Sequence, residues 1–190
     1  MTYPLDRAAR SDEEPERGVA CSVLLEQIYA AATESVAVNG FQGLSMEDVA
    51  LRARCSRATV YRRVGGKEAI RGVVLNEAVA RMTSTVAQAV DHLHGQERVA
   101  AVILASLDAI RADPVAAALL SGPAAAYSVD SAVTIRFTGT VAYLTGIACD
   151  DTAGCELVSR ITLALLCWPL AERDAETAII HRFVTPAVMA

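Results

Sequence analysis

Six side chains within eleven positions could hold nucleic acid. Arg57, Thr59, Tyr61, Arg62, Arg63 and Lys67 supply guanidinium, hydroxyl, phenol and ammonium groups. Those groups suit phosphate oxygens and base edges. Ala58 is small, so a helix N-terminus there could approach a phosphate closely, where free N–H groups favour an anion. Between Phe41 and Gly72 the chain carries seven cations against three anions, a local +4 in a chain of net charge −5. The charge is segregated rather than averaged, and its positive part is focused on this stretch, as nucleic-acid binding requires. The bland alternative is a solvated helix face that happens to be rich in arginine.

These residues need two short helices and a tight turn to position them. Ser45 is a candidate N-cap for the first helix, with Asp48 at the third helical position. Met46, Val49, Ala50 and Ala53 give that helix one apolar face. Arg54-Cys55-Ser56 breaks it. Ser56 can cap the second helix, in which Val60 and Val64 face inward and the cationic set is left outside. Lys67 follows Gly65-Gly66 and could reach a second phosphate.

Leu44–Lys67 resembles the DNA-binding signature of the tetracycline-repressor (TetR) family of bacterial transcription regulators. The matching pieces are N-G-F-x-G-L-S-M-E-D-V-A and S-R-A-T-V-Y-R-R-V-G-G-K-E. The resemblance spans about Leu24 to Ala80. By it, Ser45, Ser56, Arg57, Ala58, Thr59, Tyr61, Arg62, Arg63 and Lys67 form the DNA-binding set. Three positions depart from the family pattern. Arg54 stands where the turn glycine is usual, which would force a non-glycine residue left-handed at a cost of roughly 1 kcal/mol. Cys55 replaces an aliphatic residue and Val64 an aromatic one.

Composition agrees with an all-α chain. At 190 residues and 53% hydrophobic content a sizeable core can form, and with 5% aromatics it must be built from Ala, Val, Leu and Ile. No alternating strand pattern persists. Cys21, Cys55, Cys149, Cys155 and Cys167 are odd in number, lack C-x-x-C spacing and read as reduced thiols. His92 and His94 lie two apart, which does not put them on one helix face. No metal site and no cofactor is expected. No nucleophile elbow, zinc-protease motif, phosphate loop or dinucleotide fingerprint is present, so an enzyme is not expected. No charge-free apolar run is long enough to span a membrane. The expected location is the bacterial cytoplasm, in association with the nucleoid.

In order, residues 1–18 read as a flexible arm, 19–66 as the helix-turn-helix domain and 67–190 as a helical ligand-binding and dimerisation domain, about nine helices in all. A first helix is expected from about Ala20 to Val38, stopped by Asn39-Gly40. A long helix from Gly66 to about His94 repeats apolar residues every fourth position and can run from head to body. Further helices are expected at Glu97–Arg111, Val115–Leu120 behind an Asp113-Pro114 cap, Ser131–Ala148 and Thr152–Ala171. A last helix, capped by Asp174, carries Ile179, Ile180, Phe183 and Val184 as one stripe. Ile161–Leu170 is apolar on every face and so needs a covering on both sides. Leu165, Trp168, Ile179 and Phe183 are therefore candidates for a homodimer interface built from four helices.

By family resemblance the body would bind a small molecule, with Tyr127, Phe137, Tyr143 and Trp168 as candidate pocket residues and ordinary core packing as their alternative role. Nothing there resembles an ion cage, so the effector would be mainly apolar. The function implied is a sequence-specific DNA-binding regulator: a ligand-responsive repressor acting as a homodimer on a palindromic operator. The alternative is a ligand-independent nucleoid-organising or protein-recruiting factor on the same fold, which a body without a cavity would favour.

Overall fold

The computed structural model describes residues 13–120 and 139–188, with side chains from Ser22 onward. Helix α1 runs Glu13–Gly43 and carries a break at Gly40, whose φ of 70° is left-handed. The helix thus begins seven residues earlier than its apolar stripe implies. Residues 13–18, expected in the arm, are helical; the rest of that arm lies outside the described residues. Its buried stripe is Ile28, Ala31, Ala32 and Val36, near one turn apart.

Helices α2 (Met46–Arg52) and α3 (Arg57–Val64) complete the head. The turn between them is a Schellman motif. Cys55 N–H donates to Ala50 O at 3.0 Å and Arg54 N–H to Leu51 O at 3.2 Å. Arg54 occupies the left-handed position with φ 52°. The strain expected from the missing glycine is therefore present. Ser56 caps α3, its Oγ accepting from Thr59 N–H at 3.1 Å. Ser45 stands at the start of α2 but makes no side-chain cap, a correction to the expected capping role. Its hydroxyl is turned toward Glu47 and donates to Oε2 at 2.9 Å, so its oxygen is not aimed at the free N–H groups of α2.

Helix α4 (Lys67–Val90) joins head to body. Gly65 closes α3 with φ 81°, and Gly66 opens α4 with φ 139° and ψ −177°. The second of these conformations is essentially open to glycine alone. Ile70, Val74 and Ala78 of α4 lie in the head core, together with Leu44, Met46, Val49, Val60 and Val64. Val86 and Val90, at the other end of the helix, pack with Val102 and Leu144 of the body.

Helices α5 (Gly95–Ala112) and α6 (Pro114–Leu120) follow. Asp113 caps α6 as expected: its Oδ1 accepts from Val115 N–H at 2.9 Å and Ala116 N–H at 3.0 Å. Helix α6 then lies against α1, and Val115 is fully buried in the head core. Helix α7 is described over residues 139–145. Helix α8 (Thr152–Cys167) is capped by Asp151, whose Oδ1 accepts from Gly154 N–H at 2.8 Å. It stops four residues short of the expected Ala171. Pro169 forces the residue before it out of the helix, and Trp168 is non-helical (φ −129°, ψ 72°).

The chain ends in α9 (Arg173–Ile179), a π-helical turn over Ile180–Val184, and α10 (Thr185–Val188). Asp174 does not cap α9; Glu172 precedes the helix without a side-chain cap. Ile180, Val184 and Val188 join Val99, Ile103, Leu107, Cys155, Val158 and Leu165 in the body core. Two arginines pin the body. Arg98 donates to Leu144 O (2.6 Å), Val90 O (3.3 Å) and Leu93 O (3.3 Å), satisfying carbonyls at the ends of α7 and α4. Arg111 donates to both oxygens of buried Glu176 (3.0 and 2.7 Å) and to Leu165 O (3.0 Å), tying α5, α8 and α9 together. Among the described residues Cys55, Cys149, Cys155 and Cys167 are free, and no three metal-ligating side chains cluster. None of the described helices is long and apolar enough to cross a membrane.

Candidate nucleic-acid interface

Helix α3 divides cleanly. Val60 and Val64 are buried against the head, Thr59 is half-buried, and Ser56, Arg57, Ala58, Tyr61, Arg62 and Arg63 are exposed. One short helix therefore presents three guanidinium groups and a phenol to solvent. Arg57 forms an ion pair with Glu47 of α2. It also donates to Tyr61 Oη at 3.5 Å and lies over the Tyr61 ring, 5.4 Å from its centroid. The Ser45 hydroxyl, then the backbone and then Arg57 hold the Glu47 carboxyl below the usual range. The Arg62 side chain makes no hydrogen bond or ion pair among the described residues.

Lys67 sits differently. Its Nζ donates to Gln42 O at 3.3 Å, and Arg71 donates to Phe41 O and to Glu68 Oε1 (2.7 Å). These two cations bind the end of α1 to the start of α4. The Lys67 ammonium has three donors, so the bond to Gln42 O leaves others for the expected second phosphate contact.

A cavity of about 160 Å³ opens in the body. Its walls come from α4 (Val79, Met82, Thr83, Val86), α5 (Val102, Ser106, Ile110), α7 (Thr140, Val141, Leu144) and α8. The Ser159 and Thr162 hydroxyls of α8 are used within the helix, donating to Cys155 O and Val158 O at 2.8 Å. Arg160 is held by Glu156 (2.6 Å). The lining is thus apolar with a few hydroxyls.

None of the four candidate pocket residues is seen on that wall. Tyr127 and Phe137 lie outside the described residues. Tyr143 is 68% exposed because its neighbours Ala142 and Leu144 take the inward positions of α7. Trp168 is 76% exposed because the helix has already ended there. The wall residues carry a signal in sequence, four-residue spacing of Val158, Thr162 and Leu166, but the same spacing marks any packed helix.

The candidate dimer residues separate as well. Ile179 and Phe183 face out, Phe183 with 62% exposure, while Ile180 and Val184 face in. The single stripe expected from spacing is two faces of one helix. Leu165 is only 8% exposed and belongs to the body core, so it is unavailable to a partner.

A three-helix head with an arginine-faced third helix, set on a helical body, has the architecture of a helix-turn-helix protein. Residues 28–72 match the model of the bacterial regulatory proteins of the tetR family. The chain is 27% identical over 152 residues to an HTH-type transcriptional regulator of Mycobacterium tuberculosis, covering 76% of this chain and 75% of that one. The fold resembles a TetR-family regulator from Streptomyces coelicolor A3 (TM-score 0.57, 22% identity, 96% of this chain and 100% of that one). It also resembles AibR, solved with isovaleryl coenzyme A and operator DNA (TM-score 0.57, 17% identity, 86% and 98%). Residues 28–72 of the head are thus similar to a TetR-type DNA-binding domain, and the chain is similar over three quarters of its length to an HTH-type transcriptional regulator.

Proposed function

We propose that this protein is a ligand-responsive repressor that acts in the bacterial cytoplasm as a homodimer on a palindromic operator. Residues 19–66 serve as the reading head and 67–190 as the ligand and dimerisation domain. One observation carries the reading. Helix α4 contributes to the head core at one end and to the cavity wall at the other, and it begins two glycines after the recognition helix. A molecule in the cavity presses on the helix that holds the head. AibR, on a similar fold, has been solved with both an acyl-coenzyme A and DNA. The cavity here favours a smaller, uncharged and mainly apolar effector, since among the described residues its lining offers hydroxyls and no unpaired charge. It also disfavours a ligand-independent nucleoid-organising or protein-recruiting role, which needs no such space.

In this reading Arg57, Ala58, Thr59, Tyr61, Arg62 and Arg63 meet DNA, with Ser45, Ser56 and Lys67 at the margins. The operator is recovered from a random duplex pool by the wild-type protein. Arg62→Ala should then weaken binding to that duplex with helix content unchanged. The effector test follows once a thermal-shift screen of small neutral compounds yields a binder. That compound should lower operator affinity by about 5–150-fold, and operator should weaken the compound by the same factor. Equal compound affinity with and without operator would sink the repressor mechanism while leaving DNA binding intact.

A further inference from the structure

The turn of the head contains a cost without a visible return. Arg54 sits at the left-handed position of a Schellman turn, φ 52°, where glycine fits without strain. Among the described residues it is the one non-glycine residue with positive φ. Its side chain is exposed and makes no ion pair or hydrogen bond among them. The two cations nearest to it in the chain are engaged, Arg52 with Asp48 (2.9 Å) and Glu34 (3.5 Å) and Arg57 with Glu47. Packing does not explain the residue, and neither does local charge balance. A strained residue that the fold does not use points to a role outside the fold.

Position supplies the role. Arg54 lies two residues before Ser56, the N-cap of α3, so the two Cα atoms are at most about 7 Å apart. A helix-turn-helix places the N-terminal end of its second helix at the base edges while the flanking backbone runs alongside. A long unpaired guanidinium at that corner can reach a phosphate of the same duplex. We infer that Arg54 is a phosphate contact of the reading head, a sequence-independent clamp beside the recognition helix that is held in place at the expense of backbone strain. The inference rests on the DNA-binding reading of α3.

The test uses the full chain and a mixed-sequence DNA duplex, since a phosphate contact needs no operator. Affinity is measured between 50 and 200 mM salt for wild type, Arg54→Gly, Arg54→Asn and Arg54→Lys. Each phosphate contact contributes about 0.9 to the slope of log affinity against log salt. Wild type should therefore lose roughly three- to fourfold more affinity per head across that range than Arg54→Gly or Arg54→Asn. Arg54→Lys should keep the wild-type slope. Arg54→Gly should also melt at a higher temperature, because glycine adopts this φ freely. Weaker binding together with a lower melting temperature would mean a structural role and overturn the inference. An unchanged slope in Arg54→Gly would also overturn it. Failure of wild type to bind any duplex would instead overturn the DNA-binding reading beneath it.

Discussion

Single side chains set two measurable balances in this protein. On the head, Glu47 occupies Arg57, the first guanidinium of the recognition helix. Both are largely exposed, so the pair adds little to stability. Glu47 also places a negative charge where phosphate should come. Glu47→Gln should leave the melting temperature within a degree or two and raise duplex affinity severalfold at low salt, with the gain fading as salt rises. An affinity unchanged at low salt would show that Arg57 does not meet DNA. In the body, Glu176 is 1% exposed and its carboxyl is held below the usual range by Arg111. A lowered folded-state pKa stabilises above the ordinary glutamate value, and the gain is lost as pH falls through the folded value. Arg111→Met leaves that carboxylate buried without its partner, at about 2–4 kcal/mol near pH 7 after allowance for the part-exposed guanidinium. Urea titrations should show this loss shrinking as acid protonates Glu176. Arg111→Met combined with Glu176→Leu should recover most of it.

At the scale of elements, the junction between α3 and α4 is the most exacting stretch. Gly66 at φ 139° and ψ −177° has no neighbour that a Cβ would strike, so any penalty there belongs to the backbone alone. Gly66→Ala should destabilise by about 1–3 kcal/mol in thermal or urea unfolding, even though space is available. A neutral result would mean that the junction adjusts freely. This junction and the helix-turn-helix were legible in sequence because local chemistry decides them: Ser56 caps, Val60 and Val64 repeat at one turn, glycines close and open helices. The body was less legible. Nothing in residues 13–19 marks an apolar stripe, so periodicity gives no sign of the first turns of α1. The stop at Pro169 was signalled, but an unbroken apolar run hid it. Which of Ile179 and Ile180, or of Tyr143 and Leu144, faces the core depends on where neighbouring helices lie. Spacing alone fixes a stripe only to within one residue. The docking of α6 on α1 was invisible for the same reason, since Val115 meets its partners across a long stretch of chain.

For the whole molecule, the outward Ile179, Phe183 and Trp168 matter most. Large apolar side chains left this open on a folded protomer favour a partner. The π-helical turn contributes by setting Phe183 outward while Ile180 and Val184 keep their place in the core. Phe183→Glu should leave the protomer folded, because that side chain is not part of its core. In a dimer it would bury a carboxylate without a partner. Sedimentation should show a dimer for wild type and a shift toward monomer for the variant. DNA binding should weaken in step, since a two-fold regulator reads half-sites about 34–36 Å apart or a multiple of that. A wild type that sediments as a monomer at micromolar concentration would count against the assembly.

The sharing of α4 and α6 between head and body also governs how the molecule comes apart. Ile70, Val74, Ala78 and Val115 lie in the head core yet belong to chain beyond Gly66. A fragment ending at Gly66 would expose the surfaces that those four side chains cover, so the head has no complete interior of its own. Melting should therefore be a single cooperative event rather than a head released from a standing body. Amide protons of α2 and the first half of α4 should exchange at a common rate, and calorimetric and van't Hoff enthalpies should agree.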